Sequence, residues 1–207
     1  MTTEVSSLLD RIAVLLAAPR RVVLGITGAP GAGKTTLAET LLAALPADTV
    51  AHLPMDGFHL ADAQLSRLGL RDHKGAPETF DVDGYVAALR RLHDEPDRTL
   101  YVPGFERDLE QPIAAAIAIE PSARIVVTEG NYLLLPDDGW ERVRPLLTEA
   151  WFVDGDDDVR RARLVARHEQ FGKPPAAARA WVEQVDEPNA RLIAATRGSA
   201  DLVVRMS

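Results

Sequence analysis

Short runs of apolar residues alternate along this chain with segments whose apolar residues recur every three or four positions. The runs are typical of buried parallel strands, and the periodic segments are typical of amphipathic helices. The runs predict strands at 21–27, 49–55, 100–102, 115–119, 125–128, 150–153 and 202–204. The periodic segments predict helices at 3–18, 36–45, 60–68, 82–93, near 139–147, 156–171 and 175–196. This alternation predicts an α/β fold whose mostly parallel, doubly wound sheet has helices on both faces.

Two polar stretches interrupt this pattern, and we expect them to form loops on one side of a binding site. The first is 57–81, which contains a Gly- and Pro-bearing loop from 69 onwards, and the second is a hairpin-like excursion over 103–112. No long linker or repeat divides the sequence, so 1–207 is expected to be a single domain.

Composition narrows the classes of function. A net charge of −8 argues against a nucleic-acid-binding surface, because such a surface is basic. The chain has no cysteine, which excludes thiol catalysis and thiolate metal sites and favours a cytoplasmic location. No apolar run approaches the length of a membrane span, so we expect no membrane insertion. The oligomeric state is left open, and a homo-oligomer is compatible with the sequence.

A glycine-rich segment follows the first predicted strand and precedes a predicted helix. Its spacing is G-x-x-x-x-G-K-[ST], formed by Gly28, Ala29, Pro30, Gly31, Ala32, Gly33, Lys34 and Thr35, with Thr36 next in the helix. Glycines at these positions let backbone N–H groups turn inward and hold phosphate oxygens. Lys34 would reach the β- and γ-phosphates of ATP, and the Thr35 hydroxyl would bind the accompanying Mg²⁺. The segment predicts a phosphate-binding loop, and with it the fold of P-loop NTPases.

Two carboxylates directly follow predicted strands, where ligands of doubly wound sheets bind. Asp56 follows the strand at 49–55 and suits a base that orients a hydroxyl and accepts its proton. The alternative is that Asp56 and Gly57 only form a turn. Glu129 follows the strand at 125–128 and could serve as a magnesium ligand. The alternative is that it is an ordinary residue at a turn or at the start of a helix.

The predicted helix at 156–171 carries arginines on one face, because Arg160, Arg163 and Arg167 are spaced by three and four residues. Such a helix could close over a γ-phosphate as a lid, here over about 156–173, and neutralise transition-state charge. The alternative is a solvated helix with salt bridges. His59, three residues past Asp56, could hydrogen-bond a substrate or could be a structural histidine.

Three further motifs make the chain resemble a known family. They are Pro54-Met55-Asp56-Gly57-Phe58-His59, Lys74-Gly75-Ala76-Pro77-Glu78-Thr79-Phe80-Asp81 and Thr128-Glu129-Gly130-Asn131-Tyr132. With the arginine helix and Val185-Asp186-Glu187-Pro188-Asn189-Ala190, the chain is similar nearly end to end to phosphoribulokinases, uridine kinases and bacterial pantothenate kinases. It most resembles small bacterial kinases described as fructose-transport-system or uridine-kinase-like proteins.

The resemblance implies an ATP- and Mg²⁺-dependent kinase of cytoplasmic type. Asp56 corresponds to the acid that activates the acceptor hydroxyl, and Glu129 to the acid that supports the metal. Arg163 and Arg167 correspond to the lid arginines, and Asn189 lies where the family packs around the nucleotide base. The departures are Gly57-Phe58-His59, where uridine kinases have Ser-Phe-Tyr, and the absence of the extra length of pantothenate kinases.

We therefore expect transfer of the γ-phosphoryl group of ATP to a hydroxyl of a small metabolite. The acceptor would lie between Asp56, the loop 72–81 with Lys74 and Glu78, and the segment 103–108. In that segment Arg107 either hydrogen-bonds the acceptor or is a surface residue. A sugar is the first expectation, and a nucleoside or a pantothenate-like alcohol are the alternatives. The rival class is a nucleotide-binding regulatory module, although no Asn-Lys-x-Asp guanine-reading segment is present.

Overall fold

The computed structural model describes residues 4–205. Their strands are β1 (Val22–Thr27), β2 (Val50–Pro54), β3 (Leu100–Glu106), β4 (Gln111–Ile119), β5 (Ile125–Glu129), β6 (Glu149–Asp154) and β7 (Leu202–Arg205). Their α-helices are α1 (Val5–Leu16), α2 (Lys34–Ala44), α3 (Asp62–Leu68), α4 (Val82–Asp94), α5 (Asp157–Gln170), α6 (Pro175–Trp181) and α7 (Glu187–Ala194). A π-helical stretch, Val182–Asp186, joins the last two helices. Within 4–205, no helix is long and apolar enough to cross a membrane.

Five strands form one parallel sheet in the order β2-β5-β1-β6-β7. Glu129, the last residue of β5, pairs in register with Ile26 of β1 and with Pro54 of β2. The carboxyl ends of these three strands are therefore level with one another. The loops that follow β1 and β2 start beside Glu129, which places the candidate residues at a single edge of the sheet.

Successive residues of the strands face opposite sides of the sheet, and each side has its own core. Val22, Leu24 and Ile26 of β1 pack in a cluster with apolar residues of α1 and α2. Val23 faces the other way and belongs to a cluster with apolar residues of α4, β3 and the segment after β5. Helices thus cover both faces of a doubly wound sheet, and the predicted fold class is confirmed.

The excursion predicted over 103–112 is mostly strand. β3 and β4 pair antiparallel as a separate two-stranded sheet, and the register shifts between Val102 and Gly104. A bulge of this kind lets a strand continue past Pro103 and Gly104, residues that ordinarily interrupt one. Gly57 lies so close to the Pro103 carbonyl that a Cβ there would collide with it. This close approach holds the hairpin against the turn that carries Asp56.

The prediction of a helix near 139–147 is wrong. Two short 3-10 turns, Trp140–Arg142 and Arg144–Leu146, take its place. Pro145 has no backbone N–H to donate and its ring disfavours a continuous helix. Gly139 also has a φ of 90°, so the backbone enters the first turn from a left-handed conformation. The apolar residues that suggested a helix, Trp140 and Val143, are nonetheless buried.

Candidate active site

The glycine-rich segment forms a tight loop between β1 and α2. Its three glycines have positive φ values, which are 149° at Gly28, 77° at Gly31 and 99° at Gly33. A Cβ on Gly28 would lie 2.5 Å from the Val153 carbonyl oxygen, so β6 leaves no room for a side chain there. The loop ends at the first turn of α2, whose backbone N–H groups have no partner within the helix and are available to an anion.

Lys34 is the first residue of α2 and is buried. Its ammonium donates a hydrogen bond to the Ala29 carbonyl oxygen at 3.1 Å, inside the loop. Burial lowers the pKa of Lys34, while the nearby carboxylates of Glu129 and Asp56 act in the opposite direction. A bound phosphate would add further negative charge next to the buried ammonium.

Glu129 is buried at the end of β5, also next to Lys34. Burial raises the pKa of Glu129, and the neighbouring charge of Asp56 raises it further. The charge of Asp56 thus opposes the ionisation of Glu129. A cation placed between them and a phosphate would relieve that repulsion.

Asp56 lies in a 3-10 turn, Met55–Phe58, that directly follows β2. Its Oδ2 accepts a hydrogen bond from Nη2 of Arg107 at 3.3 Å. The guanidinium of Arg107 also lies 5.7 Å from the ring centre of Phe105, which holds it beside the hairpin. Arg107, for which a surface role was one alternative, therefore contacts the candidate base.

An aromatic wall lies next to Asp56 and is formed by His59, Phe80 and Phe105. The His59 ring centre is 4.0 Å from that of Phe80 and 5.0 Å from that of Phe105. His59 Nδ1 is 2.9 Å from the Asp56 carbonyl oxygen, and burial lowers the pKa of His59, so the ring is neutral at neutral pH. Lys74 crosses this wall, with its ammonium 5.8 Å from the Phe105 ring centre and 2.8 Å from Oδ1 of Asp62.

These elements enclose a cavity of about 740 Å³. Among its lining residues are most of those predicted for the site, namely Pro30, Gly31, Gly33, Lys34, Thr35, Thr36, Asp56, His59, Lys74, Arg107, Glu129, Arg163, Arg167 and Asn189. Gly28, Ala29 and Ala32 belong to the phosphate-binding loop but are not among the residues that line the cavity. Glu78 is placed outside the lining; its carboxylate lies 4.0 Å from His73 Nδ1 and its side chain is half exposed.

The arginine helix, α5, begins at Asp156, whose side chain accepts hydrogen bonds from the N–H groups of Asp158 and Val159. Arg163 and Arg167 are exposed on the cavity side, and the structure of 4–205 gives neither guanidinium an ion-pair partner. Arg160 differs from them, because its side chain is only 3% exposed.

Arg160 forms salt bridges with Asp157 and Glu187 and reaches the Pro30 carbonyl oxygen at 3.4 Å. The three arginines predicted to share one helical face therefore differ in environment: Arg160 is buried in salt bridges, and Arg163 and Arg167 line the cavity. Gly31 lies against the Arg160 backbone, where a Cβ would be 2.9 Å from its carbonyl oxygen. α5 is thus packed directly onto the phosphate-binding loop.

Sequence reasoning missed the residues that line the far end of the cavity. His168 Nε2 lies 2.8 Å from Oδ2 of Asp186, and the Lys173 ammonium lies 4.1 Å above the Trp181 ring. These contacts join the end of α5 to α6 and the π-helical stretch. One signal in the sequence could have indicated Asp186. It is three residues before Asn189, a predicted site residue, and this spacing places both on one helical face.

Comparisons with known proteins place this chain in a family. No family model matches the chain. The Schizosaccharomyces pombe protein named "Putative uridine kinase C227.14" is 36% identical over 78% of this chain and 72% of its own length. The Escherichia coli protein YggC, which is named as uncharacterized, is 34% identical over 91% of this chain and 79% of its own length.

A solved structure gives the same result. It is described as a "putative fructose transport system kinase" from Silicibacter sp. TM1040, and it is 35% identical with a TM-score of 0.88. The match covers 97% of this chain and 98% of that one. The fold and the phosphate-binding loop define a P-loop kinase. The chain belongs to the uridine kinase-like family of these enzymes, and the expected class of enzyme, a kinase, is confirmed.

Proposed function

We propose that this kinase transfers the γ-phosphoryl group of ATP to a hydroxyl of a small metabolite, and that the acceptor is a sugar. The observation that carries the proposal is that Lys34 of the phosphate-binding loop and Asp56 line the same cavity. A base beside a phosphate-binding loop is what transfer to a hydroxyl requires, because the nucleophile must meet the γ-phosphorus in line.

The side chains have separable roles in this reaction. The oxygen of the acceptor hydroxyl bonds to the γ-phosphorus, and Asp56 accepts the proton that this hydroxyl loses. The bond between the γ-phosphorus and the β,γ-bridging oxygen breaks, which leaves ADP. Lys34 and the N–H groups at the start of α2 stabilise the negative charge on the phosphates. Arg163 and Arg167 lie on the cavity side of α5 and supply further positive charge.

The residues present fit a magnesium ion. Thr35 and Glu129 both line the cavity and offer the oxygen ligands that Mg²⁺ prefers. Within 4–205, no group of three or more acidic or histidine side chains could hold a metal by itself. This agrees with Mg²⁺ in kinases, which keeps several waters and binds through one or two protein groups together with substrate phosphates. Such an ion would supply charge neutralisation on the β- and γ-phosphates.

The aromatic wall supports a sugar as acceptor. The apolar face of a sugar ring can lie on Phe105 or His59 while its hydroxyls meet the charged groups of Asp62, Lys74 and Arg107. The relative from Silicibacter is described as a "putative fructose transport system kinase", which favours the same class. A nucleoside is the second candidate, because the same rings could stack on a base and relatives are named uridine kinases.

The test is ADP release by the purified protein with a panel of ketoses, aldoses, nucleosides and pantothenate. We expect one class to stimulate ADP release far above the basal hydrolysis rate and to yield a phosphorylated product. Lys34→Ala should remove this turnover, while Arg90→Ala, at an exposed position on α4, should not. Stimulation by nucleosides alone would replace the sugar by the second candidate, and Lys34→Ala with parental rates would overturn the assignment of the site.

A further inference from the structure

The acceptor end of the active-site cavity, which is the part around the aromatic wall, is lined by charged side chains of both signs. The carboxylates outnumber the cations there, so an anionic group placed at this end meets no excess of positive charge. The cations are those of Arg71, Lys74 and Arg107, and the carboxylates are those of Asp56, Asp62, Asp72 and Glu110.

Asp62 pairs with two of these cations. Its Oδ1 accepts a hydrogen bond from the Lys74 ammonium at 2.8 Å, and its Oδ2 lies 3.0 Å from Nη2 of Arg71. The hydrogen bond from Lys74 and the charge of Arg71 hold the pKa of Asp62 below its usual range, so Asp62 is ionised at neutral pH. The third cation, Arg107, contacts Asp56. In the described part of the chain, each cation of the acceptor end therefore has a carboxylate partner.

Lys74 is held in this pairing by the loop that carries it. The carbonyl of the next residue, Gly75, accepts a hydrogen bond from the Tyr132 hydroxyl. The Lys74 ammonium also donates to the carbonyl oxygen of Glu110, in the turn between β3 and β4, and the side chain is only 17% exposed. A phosphate or carboxylate on the acceptor would have to displace Asp62 from an ammonium that already has its partners.

An uncharged hydroxyl meets no such competition. The two oxygens of a carboxylate can accept about four hydrogen bonds, so a hydroxyl can donate to Asp62 while the pairs with Lys74 and Arg71 persist. The rings of Phe80 and Phe105 also line this end and favour the apolar face of a sugar or a base over a hydrated charge. The acceptor end therefore suits a neutral molecule that carries several hydroxyls.

We propose that Asp62 restricts the phosphate acceptor to uncharged hydroxyl compounds, and that phosphorylated sugars, hydroxy acids and pantothenate are rejected because Lys74 and Arg71 are already paired. The inference rests on the proposed function, since it concerns the acceptor of that reaction. It holds equally for a sugar and for a nucleoside. It assigns Asp62 to the selection of the substrate, whereas Asp56 takes part in the chemistry.

Pairs of probes that share a skeleton and differ in charge test this. The pairs are D-fructose with 2-keto-D-gluconate, uridine with orotidine, and pantothenol with pantothenate. Each probe is titrated into the full-length, histidine-labelled protein after its phosphate-binding loop has been saturated with magnesium and a non-hydrolysable ATP analogue. The readout is the ¹⁵N chemical shift of the His59 ring in the aromatic wall, with the exposed ring of His93 as the internal control. We expect the uncharged member of at least one pair to bind, and its anionic counterpart to bind at least roughly tenfold more weakly.

Two variants test the part of Asp62. Asp62→Asn keeps the shape of the side chain but leaves Lys74 and Arg71 without their partner, so the anionic probes should bind roughly tenfold more tightly than to the parent protein. Asp10→Asn removes the same charge at an exposed position of α1 and should change nothing. Adding Lys74→Met to Asp62→Asn should abolish the gain, which would locate it at the ammonium.

Three results would overturn the inference and leave the kinase function in place. They are equal or tighter binding of the anionic member of a pair by the parent protein, unchanged binding of anions by Asp62→Asn, and equal gains in Asp62→Asn and Asp10→Asn. If no probe shifts His59 in any of these proteins, the acceptor does not bind at this end of the cavity. That result would overturn both the placement of the acceptor in the proposed function and the inference that rests on it.

Discussion

Arg107 donates a hydrogen bond to Asp56 across the gap between the hairpin and the turn after β2, at 3.3 Å between Nη2 and Oδ2. The contact joins the turn that follows β2 of the parallel sheet to the turn between β3 and β4. Only one carboxylate oxygen of Asp56 is engaged in this way, and the other can accept the proton of a substrate hydroxyl. The geometry explains how Arg107 can hold the candidate base in place through Oδ2 while Oδ1 stays available to a substrate.

Asp56→Asn should lower the acceptor-dependent rate by roughly 10²–10⁴-fold, the usual range for removal of a general base, and leave ATP affinity nearly unchanged. The amide keeps the shape of the carboxylate but cannot take a proton. ADP release and nucleotide titration measure the two quantities. Asp83→Asn, at the exposed start of α4, is the matched control. Parental turnover in Asp56→Asn would mean that the base is another residue.

The dependence of kcat/KM for ATP with magnesium on pH should have two limbs, because this parameter reports ionisations of the free enzyme. Burial raises the pKa of Glu129. When the solution is acidified, Glu129 therefore takes up a proton, and loses its ability to bind a metal, at a higher pH than an ordinary glutamate does. Burial lowers the pKa of Lys34, so its ammonium is lost earlier than for an ordinary lysine as the pH rises.

Initial rates across the neutral range would locate both limbs, with Glu120→Gln, at an exposed position after β4, as a control. The two groups are close, so each limb belongs to the pair rather than to one residue. A profile that stays flat from weakly acidic to strongly alkaline pH would contradict the electrostatic description of the site.

Arg163→Lys and Arg167→Lys should each lower kcat more than they raise the KM for ATP. Lysine keeps the charge but cannot form the two parallel hydrogen bonds by which a guanidinium matches a phosphate. Arg161→Lys is the matched control, because Arg161 is on the same helix but pairs with Glu187. Equal effects of all three substitutions would assign the arginines to the helix surface.

Hydrogen exchange tests the proposed lid over 156–173 directly. We expect protection there to increase when a non-hydrolysable ATP analogue and an acceptor are added. Leu164 and Arg160 anchor the helix against the protein, so the increase should be smaller in the turns near them than towards Lys173. Full protection in the free protein would identify the segment as a fixed helix.

Gly28→Ala should destabilise the protein strongly, because the new Cβ would meet the backbone carbonyl of Val153, which cannot move aside cheaply. Gly69→Ala is the matched control: its φ is 70°, but nothing lies within 4 Å of the added Cβ. The control should lose only roughly 1–2 kcal/mol, the cost of a left-handed conformation. Chemical denaturation of both variants provides the comparison. Similar losses would mean that backbone strain, rather than the contact with β6, determines the outcome.

The features that the sequence predicted best are the parallel strands and the site residues that directly follow them. Apolar runs locate the parallel strands, and the residues that follow them must meet at one edge, which is why Asp56 and Glu129 could be placed beside the loop. The spacing of the arginines predicted that they share a helical face. It could not predict that Arg160 is buried in a salt bridge with Glu187, because that partner is 27 positions away in the chain. Similarly, Lys74 was assigned to the acceptor side, yet its contacts with Asp62 and Phe105 depend on how α3 and the hairpin pack.

The hairpin of β3 and β4 is a sheet of its own, and this separation has a consequence for how the enzyme could change. Its strands share no ladder with the five-stranded sheet, so residues can be exchanged on it without shifting the register that aligns Glu129 with Ile26 and Pro54. The hairpin therefore touches the turn that carries Asp56 through side chains and close backbone packing rather than through the hydrogen-bond ladder of the parallel sheet. A new acceptor preference could arise on the hairpin while the chemistry of phosphate transfer stays as it was.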